Sequence, residues 1–206
     1  MNRVITIGRE FGSGGRELGK RLASLLDCAY YDKEVISEIA KRTQLAESYV
    51  QSIIEHRSGI FYPITVGRTL QHVHPVGTDY MANQFATIYT EQANVLREMA
   101  EKSDCVIVGR CADYILKEHH PLRLFVYADM ESKMARCRLK AEEHENLSDK
   151  ELLRKIKNVD KNRARYYHHY TGKKWGARSN YDFCINTSFV SVKECAEALA
   201  HMLGNR

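Results

Sequence analysis

The sequence has little proline, three residues in 206, and few Ser/Gly-rich stretches, so no linker divides it. It shows no internal repeat and no low-complexity run, which excludes solenoids and arrays. No apolar stretch approaches the roughly 18 residues that a membrane-spanning helix needs. Met1-Asn2-Arg3-Val4 runs straight into a strand-like segment, without the charged region, apolar core and cleavage site of a signal peptide. The six cysteines, Cys28, Cys105, Cys111, Cys137, Cys184 and Cys195, include no C-x-x-C pair. Scattered thiols without an export signal read as the buried, reduced cysteines of a cytoplasmic protein, and they speak against zinc. The net charge of +5, from 31 Lys/Arg and 26 Asp/Glu, is too small to imply nucleic acid by itself.

What is present is a chain of ordinary globular composition, 44% hydrophobic and 28% charged, with the length of one domain. Basic charge is concentrated late: Lys161 to Arg178 holds six Lys/Arg and no acid. Such a stretch favours a polyanion, and phosphate is the natural one. Val4-Ile5-Thr6-Ile7, Cys105-Val106-Ile107-Val108-Gly109, Leu122 to Tyr127 and Phe183-Cys184-Ile185 read as buried strands. Helical spacing appears in Leu18, Leu22, Leu25 and Leu26, and in a second helix carrying Val35, Ile36 and Ile39, which Asp32 is placed to cap. Further helices are expected near 44–56, over 80–102, and from about 130 to 144, 149 to 167 and 192 to 203. Ser148-x-x-Glu151 and Ser191-x-x-Glu194 have the form of capping boxes. Residues 57–80 read as loop. Strands alternating with helices predict an α/β fold with a parallel sheet flanked by helices.

Between the first strand and helix lies Gly8-Arg9-Glu10-Phe11-Gly12-Ser13-Gly14-Gly15-Arg16-Glu17. Glycines let successive backbone N–H groups converge on an anion, and the following helix adds its positive end. Gly12, Ser13, Gly14, Gly15, Arg16 and Glu17 are therefore the candidate phosphate cradle. Against the pattern G-x-x-x-x-G-K-[ST], Gly14 takes the second glycine, Gly15 falls where lysine belongs and Arg16 where Ser/Thr belongs. Arg16 can supply the missing charge as a fork, or Lys20 can lean back from the next turn. Glu17 is a candidate Mg²⁺ ligand, although it would repel phosphate without a metal. The alternatives are a glycine turn that only permits close packing, and a dinucleotide-binding loop, whose third glycine is replaced by Glu17.

Gly109-Arg110 ends the second long strand, with Asp113 three residues on. Asp160 and Arg163, at helical spacing i, i+3, can pair. Arg136 and Arg138 lie in the helix before them. Phosphoryl transfer needs positioning and cations more than covalent chemistry, and arginines on a closing flap serve that need.

Across nearly its whole length the chain resembles the cytidylate-kinase-like family of P-loop nucleoside-monophosphate kinases. The resemblance rests on residues 4–17, on Val106-Ile107-Val108-Gly109-Arg110, on Asp160-x-x-Arg163 and on Asn186-Thr187-Ser188. The run Tyr166-Tyr167…Tyr170-Thr171-Gly172…Trp175-Gly176 looks particular to this branch. The resemblance implies transfer of the γ-phosphoryl group of ATP to CMP or dCMP with Mg²⁺. It implies a core of residues 1–31, 96–135 and 179–206, an acceptor-binding segment over about 32–95, and an arginine-rich lid over about 136–178. Gly12 to Arg16 would hold the ATP phosphates, and Arg110 and Arg163 the acceptor phosphate or the transferring group. Asp160 would orient the lid or read the acceptor. Asp32, Arg68 and Asp113 would serve the acceptor side. Two departures stand out: the loop lysine is absent, and Asn186 replaces the usual aspartate.

Other features have plainer readings. His72-Val73-His74 and His119-His120 lack the ligands that would complete a metal site. The tyrosines and Trp175 pack a flap more readily than they stack bases, and Arg68 and Arg97 are acceptor-phosphate candidates or solvated side chains. The alternatives to a kinase are an inactive nucleotide-binding regulator and, less favoured, a nucleic-acid-binding module. The expected partners are small-molecule nucleotides, with no membrane; the oligomeric state is not legible.

Overall fold

The computed structural model describes residues 2–56, 78–140 and 147–204. Arg68 and the His72-Val73-His74 run lie outside them. Among the described residues, five strands form one fully parallel sheet: β1 (Val4–Arg9), β2 (Ala29–Tyr31), β3 (Cys105–Val108), β4 (Leu122–Tyr127) and β5 (Phe183–Asn186), in the order β2-β3-β1-β4-β5. β1 is central, with Ile7 opposite Val108 on one side and Leu124 on the other.

Alternation along β1 sorts its side chains to two faces. Ile5 and Ile7 join Val106, Val108, Leu124 and Val126 beneath α1 (Gly15–Leu25) and α8 (Val192–Gly204). Leu18 and Leu22 of α1, one helical turn apart, are fully buried there, each worth roughly 1.5–3 kcal/mol relative to exposure. Val4, Cys105 and Ile107 face the other way. They meet α2 (Glu34–Thr43), α3 (Glu47–His56), α4 (Thr78–Lys102), the short α5 (Ala112–Ile115) and the tyrosines of α7 (Asp149–Thr171). α6 (Met130–Lys140) follows β4 and packs against α7.

Several expectations are corrected. β2 is a fifth strand that the sequence reading passed over: three residues, Ala29, Tyr30 and Tyr31, are too few to show a period. Asp32 does not cap α2; Lys33 is the N-cap residue, without a side-chain hydrogen bond. Both capping boxes do form. Ser148 and Glu151 bond reciprocally at α7, and Ser191 and Glu194 at α8. α7 runs on to Thr171 and stops at Gly172 in a left-handed conformation. Its end is core as much as flap, because Tyr166 and Tyr167 are buried against α4 and α5 residues.

Candidate functional site

The loop rises from the carboxyl end of β1, the edge at which parallel sheets take ligands. Gly14 sits at φ +82 and serves as the N-cap of α1. An L side chain there would be strained, and its Cβ would lie 2.6 Å from Val192 Cγ2. Gly12, at φ +75, lies so close to α6 that a Cβ would approach the Lys133 carbonyl oxygen to 2.8 Å. Two positive-φ glycines thus stand directly before a helix N-terminus, a setting suited to an anion nest.

Neighbouring elements hold this loop on every side. The Ser13 hydroxyl donates to the Glu10 carbonyl at 2.8 Å, and the Thr187 hydroxyl donates to the Ser13 carbonyl at 2.7 Å. Arg136 of α6 donates to the Gly12 and Thr187 carbonyls, so the Asn186-Thr187-Ser188 segment is joined to the loop. Asp160 accepts from the Phe11 N–H at 2.7 Å and from the Lys133 ammonium at 2.6 Å. Lys133 is buried and reaches Glu10 as well, at 3.1 Å. Arg163 lies 3.9 Å from Asp160, donates to the Arg9 carbonyl at 3.2 Å and sits over the Phe11 ring.

At the next strand the backbone itself is strained. Gly109, Arg110 and Cys111 have φ of +78, +60 and +52. Left-handed non-glycine residues cost of order 1–3 kcal/mol each and persist where the surroundings over-determine them. Here buried Gln92 of α4 donates to the Arg110 carbonyl at 2.9 Å and accepts from the Tyr166 hydroxyl at 3.2 Å. The turn brings Arg110, itself buried, into the crevice above β1. Asp113 does not pair with Arg110; it accepts from the Tyr167 hydroxyl at 2.7 Å. Burial raises the Asp113 carboxyl above its ordinary range, against the lowering effect of that bond.

Asp32, buried at the end of β2, lies 2.6 Å from Arg16 and 3.8 Å from Arg9. Arg9, Arg110, Arg163, Asp113, Tyr167 and Trp175 therefore line one crevice, with Arg16 and Asp32 beside Arg9. Burial and the neighbouring Arg163, Arg110 and Arg16 depress the Arg9 guanidinium well below its ordinary range, while Asp32 opposes them.

The resemblance leads one to expect Mg²⁺, which in such sites takes one or two carboxylates beside the substrate phosphates. Both Glu17 oxygens are taken, one by Lys140 at 2.6 Å and one by Arg21 at 3.0 Å. The Lys140 and Arg21 bonds hold its carboxyl below the usual range. Asp32 is engaged by Arg16 through Oδ2 alone; its buried Oδ1, 3.8 Å from Arg9, has no hydrogen-bond partner. Among the described residues no group of three His, Cys, Asp or Glu converges to hold a metal. Lys20 stands with Arg16 and Glu17 along the outside of α1. Arg138 pairs with Asp149 at the surface, Arg97 is exposed, and His119 approaches Glu101.

Three residues of this constellation escaped sequence reasoning. Lys133 and Gln92 belong to no motif. Arg9 did carry a signal: counted back from Gly14, it occupies the first glycine position of the P-loop pattern.

A parallel sheet with a central strand, a glycine nest and arginines converging on one edge defines the P-loop kinase class of fold. Solved structures agree. An uncharacterized protein from Eubacterium ventriosum ATCC 27560 is 28% identical over the whole of both chains, with a TM-score of 0.70. Shikimate kinase from Bacteroides thetaiotaomicron matches at 17% identity over 98% of each chain, TM-score 0.56. Shikimate kinase from Acinetobacter baumannii, solved with shikimate, matches at 18% identity over 100% of this chain and 96% of its own, TM-score 0.53. The last two show the fold alone. No curated protein matches the chain in sequence. The model of the cytidylate kinase-like family matches residues 4–189, and the chain belongs to that family. No helix among the described residues is long and apolar enough to cross a membrane.

Proposed function

We propose that the protein is an ATP-dependent kinase that phosphorylates a nucleoside monophosphate, with CMP and dCMP the favoured acceptors. The observation that carries this reading is the convergence of Arg9, Arg110 and Arg163 on the crevice beside the glycine nest. Family membership supports nucleotide chemistry, and the arginines support an anionic acceptor.

In the reaction an oxygen of the acceptor phosphate forms a bond to the γ-phosphorus of ATP. The bond from that phosphorus to the β,γ-bridging oxygen breaks, and its electron pair leaves on ADP. An ionised phosphate oxygen carries no proton, so no general base is required. Backbone N–H groups of residues 12–16 hold the ATP phosphates, and Arg16 flanks them. Arg110 and Arg163 hold the acceptor phosphate and offset charge on the transferring group. Asp160 acts as a positioning residue, through the Phe11 N–H and Lys133. Asp32 orients Arg16, and Asp113 with Tyr167 borders the acceptor. Mg²⁺ enters with ATP as part of the substrate. The remaining acceptor contacts are assigned to the segment over about 32–95 that includes Arg68, and residues 136–178 act as the lid. The site of action is the cytoplasm, a compartment in which the six cysteines, all free, stay reduced.

The test is a panel of Mg-ATP with each nucleoside monophosphate, and with shikimate as the contrasting acceptor, read by ADP release. Turnover is expected with CMP or dCMP. ADP release with shikimate alone would replace the acceptor, and none with any acceptor would overturn the kinase reading.

A further inference from the structure

We infer that Arg9 is the phosphate-binding cation that replaces the missing loop lysine, through an exchange of glycine and cation between positions 9 and 15. The inference rests on the kinase reading above and deepens it.

Three observations converge. The first is positional. In G-x-x-x-x-G-K-[ST] the strand ends on glycine and the helix opens with lysine right after the second glycine. Here arginine stands at the first of those places, Arg9, and glycine at the second, Gly15. The cation has not been deleted; it has moved from the helix to the strand.

The second is steric. A Cβ at Gly15 would lie 2.5 Å from Arg9 Cβ and 3.2 Å from Arg9 Cγ. The Arg9 stem therefore fills the space in which a side chain at 15 would begin. Further out, a Cβ at Gly109 would lie 1.8 Å from an Arg9 terminal nitrogen and 2.8 Å from its guanidinium carbon. One terminal nitrogen of the guanidinium thus abuts the backbone of the strained turn after β3. Only glycine at both 15 and 109 leaves a channel for this side chain. A glycine at 15 that served packing of strand and helix alone would not need an arginine stem pressed against it.

The third is electrostatic. Arg9 is buried, and among the described residues the strongest charge effects on it come from three cations, Arg163, Arg110 and Arg16, and one anion, Asp32. Asp32 is 3.8 Å away and is shared with Arg16 at 2.6 Å. Burying a cation among cations is costly unless an anion arrives. A triphosphate on the adjacent nest supplies that anion. A guanidinium there also differs in kind from an ammonium, because its planar fork grips two phosphate oxygens at once.

The experiment compares wild type, Arg9→Ala, Arg9→Gly, Gly15→Lys and the double exchange Arg9→Gly/Gly15→Lys. ATP binding is followed by calorimetry, turnover with the best acceptor of the panel by ADP release, and folding by thermal melts. Arg9→Ala is expected to fold, since it removes a buried cation from a cationic cluster, and to lose about 100-fold in turnover, the scale of one transition-state donor. Gly15→Lys alone is expected to lose ATP binding, because its side chain collides with the Arg9 stem. In the double exchange the Arg9 collision is gone, Val126 at 3.2 Å has only to give slightly, and a lysine stands in the ordinary place. Its turnover is expected at least about tenfold above Arg9→Gly, a rescue that a merely structural Arg9 would not give. Folded Arg9→Ala turning over within threefold of wild type overturns the assignment, whatever the double exchange does. Wild type that neither binds ATP nor turns over any acceptor overturns the kinase reading instead, and this assignment with it.

Discussion

Lys133 of α6 is the buried side chain that ties Glu10 of the loop to Asp160 of α7. It is buried, 2.6 Å from Asp160 and 3.1 Å from Glu10, and it neutralises two carboxylates that reach it from different elements. Replacing it by methionine keeps the volume and leaves the two acids facing each other. Breaking a buried pair from one side costs about 3–5 kcal/mol. Glu10 is partly solvated, so the lower end applies. Lys133→Met is expected to destabilise the fold by about 3 kcal/mol, read as a lowered urea midpoint at unchanged slope. Asp113 shows the opposite economy. Its pKa is raised in the fold, so its protonated form is favoured there. Its contribution is complete below the unfolded pKa and is lost as pH rises through the folded one. At neutral pH the charged Asp113 therefore weakens the fold. Asp113→Asn keeps an acceptor for Tyr167 and carries no charge. Its melting temperature is expected above wild type at pH 7, with the gain shrinking as pH falls through the acidic range. Equal melting curves at both ends of that range would refute it.

At the scale of elements, the site is where α4, α7 and the strand ends are tied together. Gln92 of α4 is the knot: one amide serves the carbonyl of the left-handed residue Arg110 and the hydroxyl of Tyr166 on α7. Tyr89 and Tyr170 stack at 3.8 Å between the same two helices. Gln92→Leu strands a buried carbonyl and a buried hydroxyl, each worth about 1–3 kcal/mol when unpaired. The expected outcome is a loss of about 2–6 kcal/mol in chemical denaturation. Acceptor KM is expected to rise more than ATP KM, because the turn that presents Arg110 relaxes while the glycine loop does not. Equal changes in both KM values would show that the knot serves stability alone.

For the whole molecule, ligand binding is the quantity that links site to fold. A nucleotide that binds only the folded chain adds about 2.7 kcal/mol at 100 times its Kd. For a chain of this size 1 kcal/mol moves the melting temperature by about 2–4 °C, so Mg-ATP at that excess should raise it by about 5–11 °C. Gly14→Asp, which forces a negative side chain into the φ +82 position of the nest, should abolish the shift. A shift that survives in that variant would place the nucleotide elsewhere. The alternation of buried strands and amphipathic helices, the glycine loop and both capping boxes were legible in the sequence, because each is encoded within a few consecutive residues. β2 was not, since three residues show no period. Nor was the use of Asp32, which reads as a helix cap until β2 is seen to deliver it beside Arg16. Nor was the ion pair of Glu17 with Lys140, which lies far along the chain. Arg9 is the sharpest case. The sequence by itself determined that the loop has no lysine in the ordinary place, because that is a matter of order along the chain. Arg9's place in the pattern is a matter of order too, but its reach to the site was decided by tertiary structure. The channel for the Arg9 side chain is bounded by Gly15 on α1 and Gly109 after β3, and Gly109 reaches Arg9 only when β1 and β3 pair.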